Sequence, residues 1–403
     1  MKFSIKKIGP GLLFAGAAIG VSHLVQSTRA GADFGFGLIW VLLIAHLFKY
    51  PFFQFGPRYA LATGETLLDG YKKLGKGVLI AYFILTFATM FTIQTAVTIV
   101  TAGLASSLFG DFISIELWTA VILTICLLIL ILGKYSFLDR FMKYIVITLT
   151  ITTLIAVGFA FDLTSEPIDL TQVFPNTLEF GFLIAFMGWM PAPLDISVWH
   201  SLWAIEKQKD TKGFDVKSSL FDFNVGYTAT IVIGLGFLAL GALVMFNSME
   251  SFSPKAGDFS SQLISMYTSS LGDWSFYIIA IAAFTTMFST SLTTLDASPR
   301  AMKKTSDLIF NNKNTTGYLF WILILTSGTL IIFFFFQSEM GLLVKIATIL
   351  SFLTAPFYAI INYRLITSKY TPKKWRPSIK LHILSCLGIL FLIGFSIWYL
   401  TIL

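Results

Sequence analysis

Apolar stretches of about 20 residues recur along the whole chain, and no polar block between them is long enough to fold alone. Such a run satisfies its own backbone hydrogen bonds only as a helix, and a helix of that length crosses a hydrocarbon core of about 30 Å. Charged residues are 12% of the 403, about half the roughly 25% of a soluble domain. A soluble globule is excluded, and a single all-α integral membrane domain embedded in the lipid bilayer is expected.

Eleven runs are long enough to cross: 9–31, 36–57, 78–108, 115–133, 142–161, 177–206, 223–246, 275–296, 317–336, 340–362 and 380–402. With a cytoplasmic N-terminus, 25 of the 28 Lys and Arg fall in inner segments, Lys49 and Arg58 among them, leaving Arg29, Lys255 and Lys345. That bias predicts the N-terminus inside and the C-terminus extracytoplasmic, in a bacterial inner membrane. The net charge of +7 comes from these connectors, so no nucleic acid is implied. The first run follows Met1 to Lys7 without a small-residue cleavage pattern and is expected to stay in the mature protein. Cys126 and Cys386 both lie in apolar runs, which argues for packing rather than a disulfide or a thiolate metal site.

Five spans per half is an odd number, so a second five-span unit must enter the membrane upside down. The reading is a LeuT-like 5+5 inverted repeat, with repeat 1 over about 9–161, repeat 2 over about 177–362 and one extra C-terminal helix over about 380–402. Spans 1 and 6 are then counterparts, and both carry interruptions: Gly20-Val21-Ser22 in the first and Pro191-Ala192-Pro193 in the second. Two prolines remove backbone donors and clash with the preceding turn. Backbone freed at mid-membrane depth is tolerated only where protein buries it or a cavity receives it, which marks the paired breaks as the substrate site.

At these residues the chain resembles the NRAMP family of divalent-metal transporters, which has a LeuT-like fold. Gly9-Pro10-Gly11 opens span 1 as in that family, and Ala62 to Leu67 is similar to its second connector. Gly133 to Arg140 resembles the connector into span 5, Met190-Pro191 the break in span 6, and Ser289 to Thr294 its span 8. The resemblance implies that Gly20 stands where the family has a metal-binding Asp, His23 where it has an Asn, and Ala192 where it has a His, while the ligating Met is kept as Met190. The family's third and ninth spans carry charged residues that move protons. Here 78–108 has none beyond polar Thr and Gln94, and 317–336 has none, so the family's usual proton coupling is not expected.

Asp195 is read as the one acid well inside a span, and intramembrane acids mostly face cavities, partners or ions. Its bland role is to complement a helix N-terminus. His23 is a transition-metal ligand type, or else a histidine bonded to a nearby carbonyl. Met190 offers a soft thioether, or else fills a gap. These three form the expected metal set. Gly20, Ser22, Gln26, Met187, Ala192 and Ser197 complete the expected substrate-binding set, the hydroxyls and amide equally suited to satisfying loose backbone. His46, Lys49 and His200 are assigned to the cytoplasmic interface. Replacing an Asp by Gly20 removes a charge and opens volume.

The expected function is secondary transport of a metal cation, divalent by the resemblance, by alternating access. Two alternatives stay open: a symporter of a small organic solute such as an amino acid, and a membrane sensor that no longer transports. No Gly-rich phosphate loop, triad or metal-hydrolase pattern is present, so no enzyme, no cofactor beyond a transported cation, and a monomer are expected.

Overall fold

Helix-forming apolar runs and the glycines and prolines that punctuate them set the element order. The computed structural model describes residues 9–132, 135–163, 168–174, 180–246, 252–311, 317–335 and 340–401. The helices are α1 (Pro10–Ala18), a π-turn (Ser22–Ser27) running into α2 (Thr28–Phe34), α3 (Ile39–Thr63), α4 (Leu67–Leu74), α5 (Lys76–Phe109), α6 (Ile115–Leu132) and α7 (Tyr135–Leu163). There follow α8 (Phe180–Trp189), α9 (Ile196–Asp210), α10 (Val216–Val244), α11 (Ala256–Leu271), α12 (Phe276–Phe310), α13 (Tyr318–Phe335), α14 (Met340–Thr367) and α15 (Ile379–Thr401). Among the described residues, eight helices are long and apolar enough to cross a membrane, and the α1–α2 pair, bent by 47°, makes a ninth. The expected runs 142–161 and 177–206 coincide with α7 and with α8 plus α9, residues 177–179 lying outside the described residues.

Both expected interruptions are present. Span 1 breaks between Ala18 and Ser22, and span 6 between Trp189 and Ile196. The amphipathic α4 and α11 lie in connectors where no helix was expected. Thr66 and Asp69 form a capping box on α4, and Asp69 reaches Lys304 of α12 at 2.7 Å. Burial opposes the Asp69 charge, but Lys304 and Thr66 hold its carboxyl below the ordinary value. Just past the expected second connector, Ala62 to Leu67, the Asp69–Lys304 pair therefore clamps α4 to α12.

Packing follows small residues. A Cβ on Gly11 would lie 2.0 Å from the Asp222 carbonyl oxygen of α10, and one on Gly226 would lie 2.0 Å from the Gly11 oxygen. Higher up, Gly31 meets Leu238 and Gly241 meets Thr28 in the same way. Spans 1 and 7 thus approach backbone to backbone along their length, as small residues permit in membranes. Elsewhere α5 packs on α12, α3 on α9, and α14 on α8. Outward faces carry exposed Leu, Ile and Phe. Within the run Phe333 to Phe336, Phe333 packs inward, Phe334 and Phe335 face out, and Phe336 lies outside the described residues. Cys126 is buried as expected, whereas Cys386 lies exposed on α15 and is not a core packing residue.

Candidate functional site at the paired breaks

A small cavity of about 20 Å³, room for about one water, lies where the two breaks meet. Span 1 lends Ala17, Ala18, Val21 and Ser22 to its wall, and span 6 lends Trp189, Pro193, Ile196 and Trp199. Ile93 and Val97 of α5 and Thr290 and Thr294 of α12 close it. The lining is mostly apolar, with three hydroxyls and two indoles as its polar side chains. The Trp189 indole donates to Ser351 at 2.7 Å, while the buried Trp199 Nε1–H has no acceptor.

Ser22 is the one member of the expected set whose side chain lines this cavity. Its hydroxyl donates to the Ala18 carbonyl at 2.5 Å and lies 3.3 Å from the Pro191 carbonyl, so it bridges the two breaks. His23 turns toward α10: Nε2 lies 3.0 Å from the Thr230 carbonyl, and Nδ1 lies 3.0 Å from the Ala18 carbonyl and 2.6 Å from the Ser22 hydroxyl. A neutral imidazole has one N–H, so it donates either from Nε2 to Thr230 or from Nδ1 to Ala18, and not to both. The carbonyl-bonded reading of His23 therefore holds in this conformation. Gly20 does not open free volume, because a Cβ there would meet Thr290 at 2.9 Å. The threonine of span 8 occupies the space that a larger side chain would need.

Asp195 is 4% exposed, makes no side-chain cap bond to α9, and leaves Oδ1 without a partner. It lies within electrostatic reach of the buried Tyr71, Tyr82 and Tyr358. Ser197 belongs to the neighbouring network, accepting from Asn362 at 2.9 Å while Tyr71 donates to Asn362 at 2.5 Å. Gln26 is buried with Oε1 unpartnered, and Met190, whose peptide bond to Pro191 is cis, is wholly buried. The expected metal set thus points to different partners. Among the described residues, no group of three or more His, Cys, Asp and Glu is placed to hold a metal ion.

Three residues assigned to the cytoplasmic interface are instead buried. Lys49, near the middle of α3, is 0% exposed, and its Nζ donates to the carbonyls of Met187 at 2.6 Å and Gly188 at 2.8 Å, with Ala192 at 3.5 Å. Met187 and Ala192 therefore meet Lys49 through their backbone oxygens. His46 lies beside His23, ring centroids 6.4 Å apart, with Thr230 touching both. His200 stacks on Phe14 at 5.7 Å, both ring nitrogens lacking partners. Hydropathy counting sees depth along a helix and not the helix's rotation, so it did not show that all three side chains face the protein interior.

Two buried acids were also missed at span boundaries. Asp222 accepts from the backbone N–H of Gly9 at 3.0 Å and of Gly11 at 2.7 Å, anchoring the start of span 1 in the sense favoured by the helix dipole. Asp296 pairs with Arg300 at 2.7 Å and accepts from Tyr318 at 2.6 Å. Between α5 and α12 runs a neutral ladder. Gln94 accepts from Thr294 at 2.7 Å and donates to Thr98 at 3.0 Å, and Thr101 pairs with Ser291 at 2.8 Å.

A family model described as natural resistance-associated macrophage protein-like (Nramp) matches residues 11–401. An uncharacterized protein of Pasteurella multocida (strain Pm70) is 37% identical over 402 residues, covering 98% of this chain and 92% of its own length. The divalent metal cation transporter MntH of Staphylococcus aureus (strain JH9) is 26% identical over 256 residues, which are 60% of this chain and 56% of MntH. In shape, the chain is similar to a histidine-to-alanine mutant of the Eremococcus coleocola manganese transporter, with TM-score 0.73, 13% identity and coverage of 96% of this chain and 84% of that one. It is also similar to Mhp1, a nucleobase-cation-symport-1 family transporter solved closed with bromovinylhydantoin bound, with TM-score 0.59, 14% identity and coverage of 98% and 92%. These likenesses show a LeuT-like transporter fold.

Proposed function

The chain belongs to the Nramp family of membrane transporters, and from that premise we propose that it is a secondary transporter holding its cargo at the cavity between the two breaks. Family membership makes it an integral membrane transporter and not an enzyme. The observation that carries the site is the meeting of two interrupted helices around a small pocket, joined by the Ser22 bridge. Interrupted helices at midplane depth are how transporters of this architecture present backbone groups to cargo. The cargo favoured by membership and by the MntH relatives is a metal cation. In that reading His23, Met190 and Asp195 are its contacts, and they converge in a conformation other than the one described here. Eleven crossings in a 5+5 inverted repeat with one extra helix, a cytoplasmic N-terminus, a bacterial inner membrane and a monomer complete the proposal.

The cavity lining favours a second reading. Apolar walls, three hydroxyls and one free indole N–H suit a small organic solute with an apolar body and a hydrogen-bond acceptor. Flux into proteoliposomes decides between them. A panel of Mn²⁺, Mg²⁺ and amino acids should give saturable uptake of one class, and metal uptake that amino acids do not inhibit supports the first reading. Amino-acid uptake indifferent to metals supports the second. No flux of either class would return the chain to a sensor.

A further inference from the structure

The carbonyl end of α8 receives the side-chain nitrogen of Lys49. In an uninterrupted helix the Met187 carbonyl would accept from the N–H of residue 191, but Pro191 has none. Because α8 ends at Trp189, the Gly188 and Ala192 carbonyls also lie at the break. The helix dipole adds partial negative charge at this end. Gly188 fixes the group in place, since a Cβ there would sit 2.1 Å from the Thr348 oxygen of α14. Into these carbonyls Lys49 inserts a wholly buried ammonium, at 2.6 Å, 2.8 Å and 3.5 Å.

An ammonium has three donors and no acceptor, so three converging carbonyls match it, as they would match a dehydrated monovalent cation. No acidic side chain among the described residues pairs with Lys49. Its charge is balanced by backbone oxygen and the helix end alone. A buried charge held this way is costly to place and costlier to leave half-paired, and snorkelling does not account for it because the ammonium never reaches water.

We propose that Lys49 is a tethered cation, filling a monovalent-cation site at the carbonyl end of the outer half of span 6, so that the break is charge-compensated from within and takes no free ion there. The site's ligand class is a primary ammonium or an alkali cation. It is separate from the cargo cavity, none of whose lining residues is Lys49, Met187, Gly188 or Ala192. With Lys49 on these carbonyls, the inference weighs against a cargo cation coordinated there and leaves a cargo bound in the cavity untouched.

The test is thermal unfolding of the purified full chain in detergent, with n-butylammonium, Na⁺ and choline chlorides compared at equal ionic strength. Wild type should show the same midpoint in all three. Lys49→Ala, which empties the volume of the stem and removes the charge, should unfold several degrees lower. n-Butylammonium at tens of millimolar should restore at least half of that loss, and choline, which has no N–H, should restore none. Lys49→Met fills the channel without a charge, so it should be equally destabilised and should not respond to the amine. If neither variant folds, purification in n-butylammonium should recover Lys49→Ala but not Lys49→Met. A Lys49→Met protein as stable as wild type, rescue by choline equal to that by n-butylammonium, or no recovery by the amine would overturn the proposal.

Discussion

Asp195 shows what a single side chain contributes and what its neighbours decide. An acid two residues after Pro193 reads as a cap for the inner half-helix, yet no cap bond forms and Oδ1 has no partner. A cap lost to Asn would cost at most about 1 kcal/mol, and here there is no cap to lose. Asp195→Asn should therefore fold as well as wild type by thermal unfolding. If the carboxylate serves a cation, uptake should be lost or its apparent affinity weakened by tenfold or more. Wild-type metal uptake by a stable Asp195→Asn protein would leave the residue a structural role and move the cargo toward neutral or zwitterionic solutes. At this scale the sequence was half legible. Pro191, Pro193 and Gly20 announced the breaks, because each acts on its own backbone. The destinations of Lys49 and His23 did not show, since their partners lie 138 and 207 residues away, and nothing local says which way a side chain on an apolar helix turns.

Helix pairs are where the small residues act. The Gly11–Gly226, Gly31–Leu238 and Gly241–Thr28 contacts let α1, α2 and α10 touch through their backbones, and Asp222 of α10 pins the first turn of α1 by two charge-assisted bonds. A methyl added at Gly226 would fall on the Gly11 carbonyl oxygen, which is backbone and cannot swing aside. Overpacking of this kind typically costs about 1–3 kcal/mol and occasionally more, so Gly226→Ala should lower the unfolding temperature or the folded yield. Gly158→Ala, whose Cβ would meet nothing within 4 Å, should be neutral or slightly stabilising by helix propensity, at most about 1 kcal/mol. Equal effects of the two substitutions would show that the close crossing is not what the glycines serve. Helix lengths were largely legible, because an apolar run and its caps are read residue by residue. The connector helices α4 and α11 were not, since their amphipathic patterns are short and sit between stronger signals. The order of glycines could not show which helix each would meet.

Across the whole molecule, the charges are arranged so that spans 3 and 8 meet without any. Where the resemblance led one to look for titratable groups in the third span, Gln94, Thr98, Thr101, Ser291 and Thr294 form a neutral hydrogen-bonded ladder. Hydroxyls and amides hold their protons at physiological pH, so this seam offers a proton no acid or base to occupy between the two faces of the membrane. Of the buried groups that can titrate, His23, His46, His200, Asp195 and Lys49 lie on spans 1, 2 and 6, while Asp222 and Asp296, at the ends of spans 7 and 8, are held by the α1 backbone and by Arg300. Cargo uptake should accordingly proceed without stoichiometric acidification of the vesicle lumen, measured with a trapped pH dye beside the cargo flux. Proton movement in fixed ratio to cargo would refute this for the wild type. Should such coupling vanish in His23→Gln or Asp195→Asn while cargo still crosses, the proton route would run through the breaks themselves rather than along the α5–α12 seam.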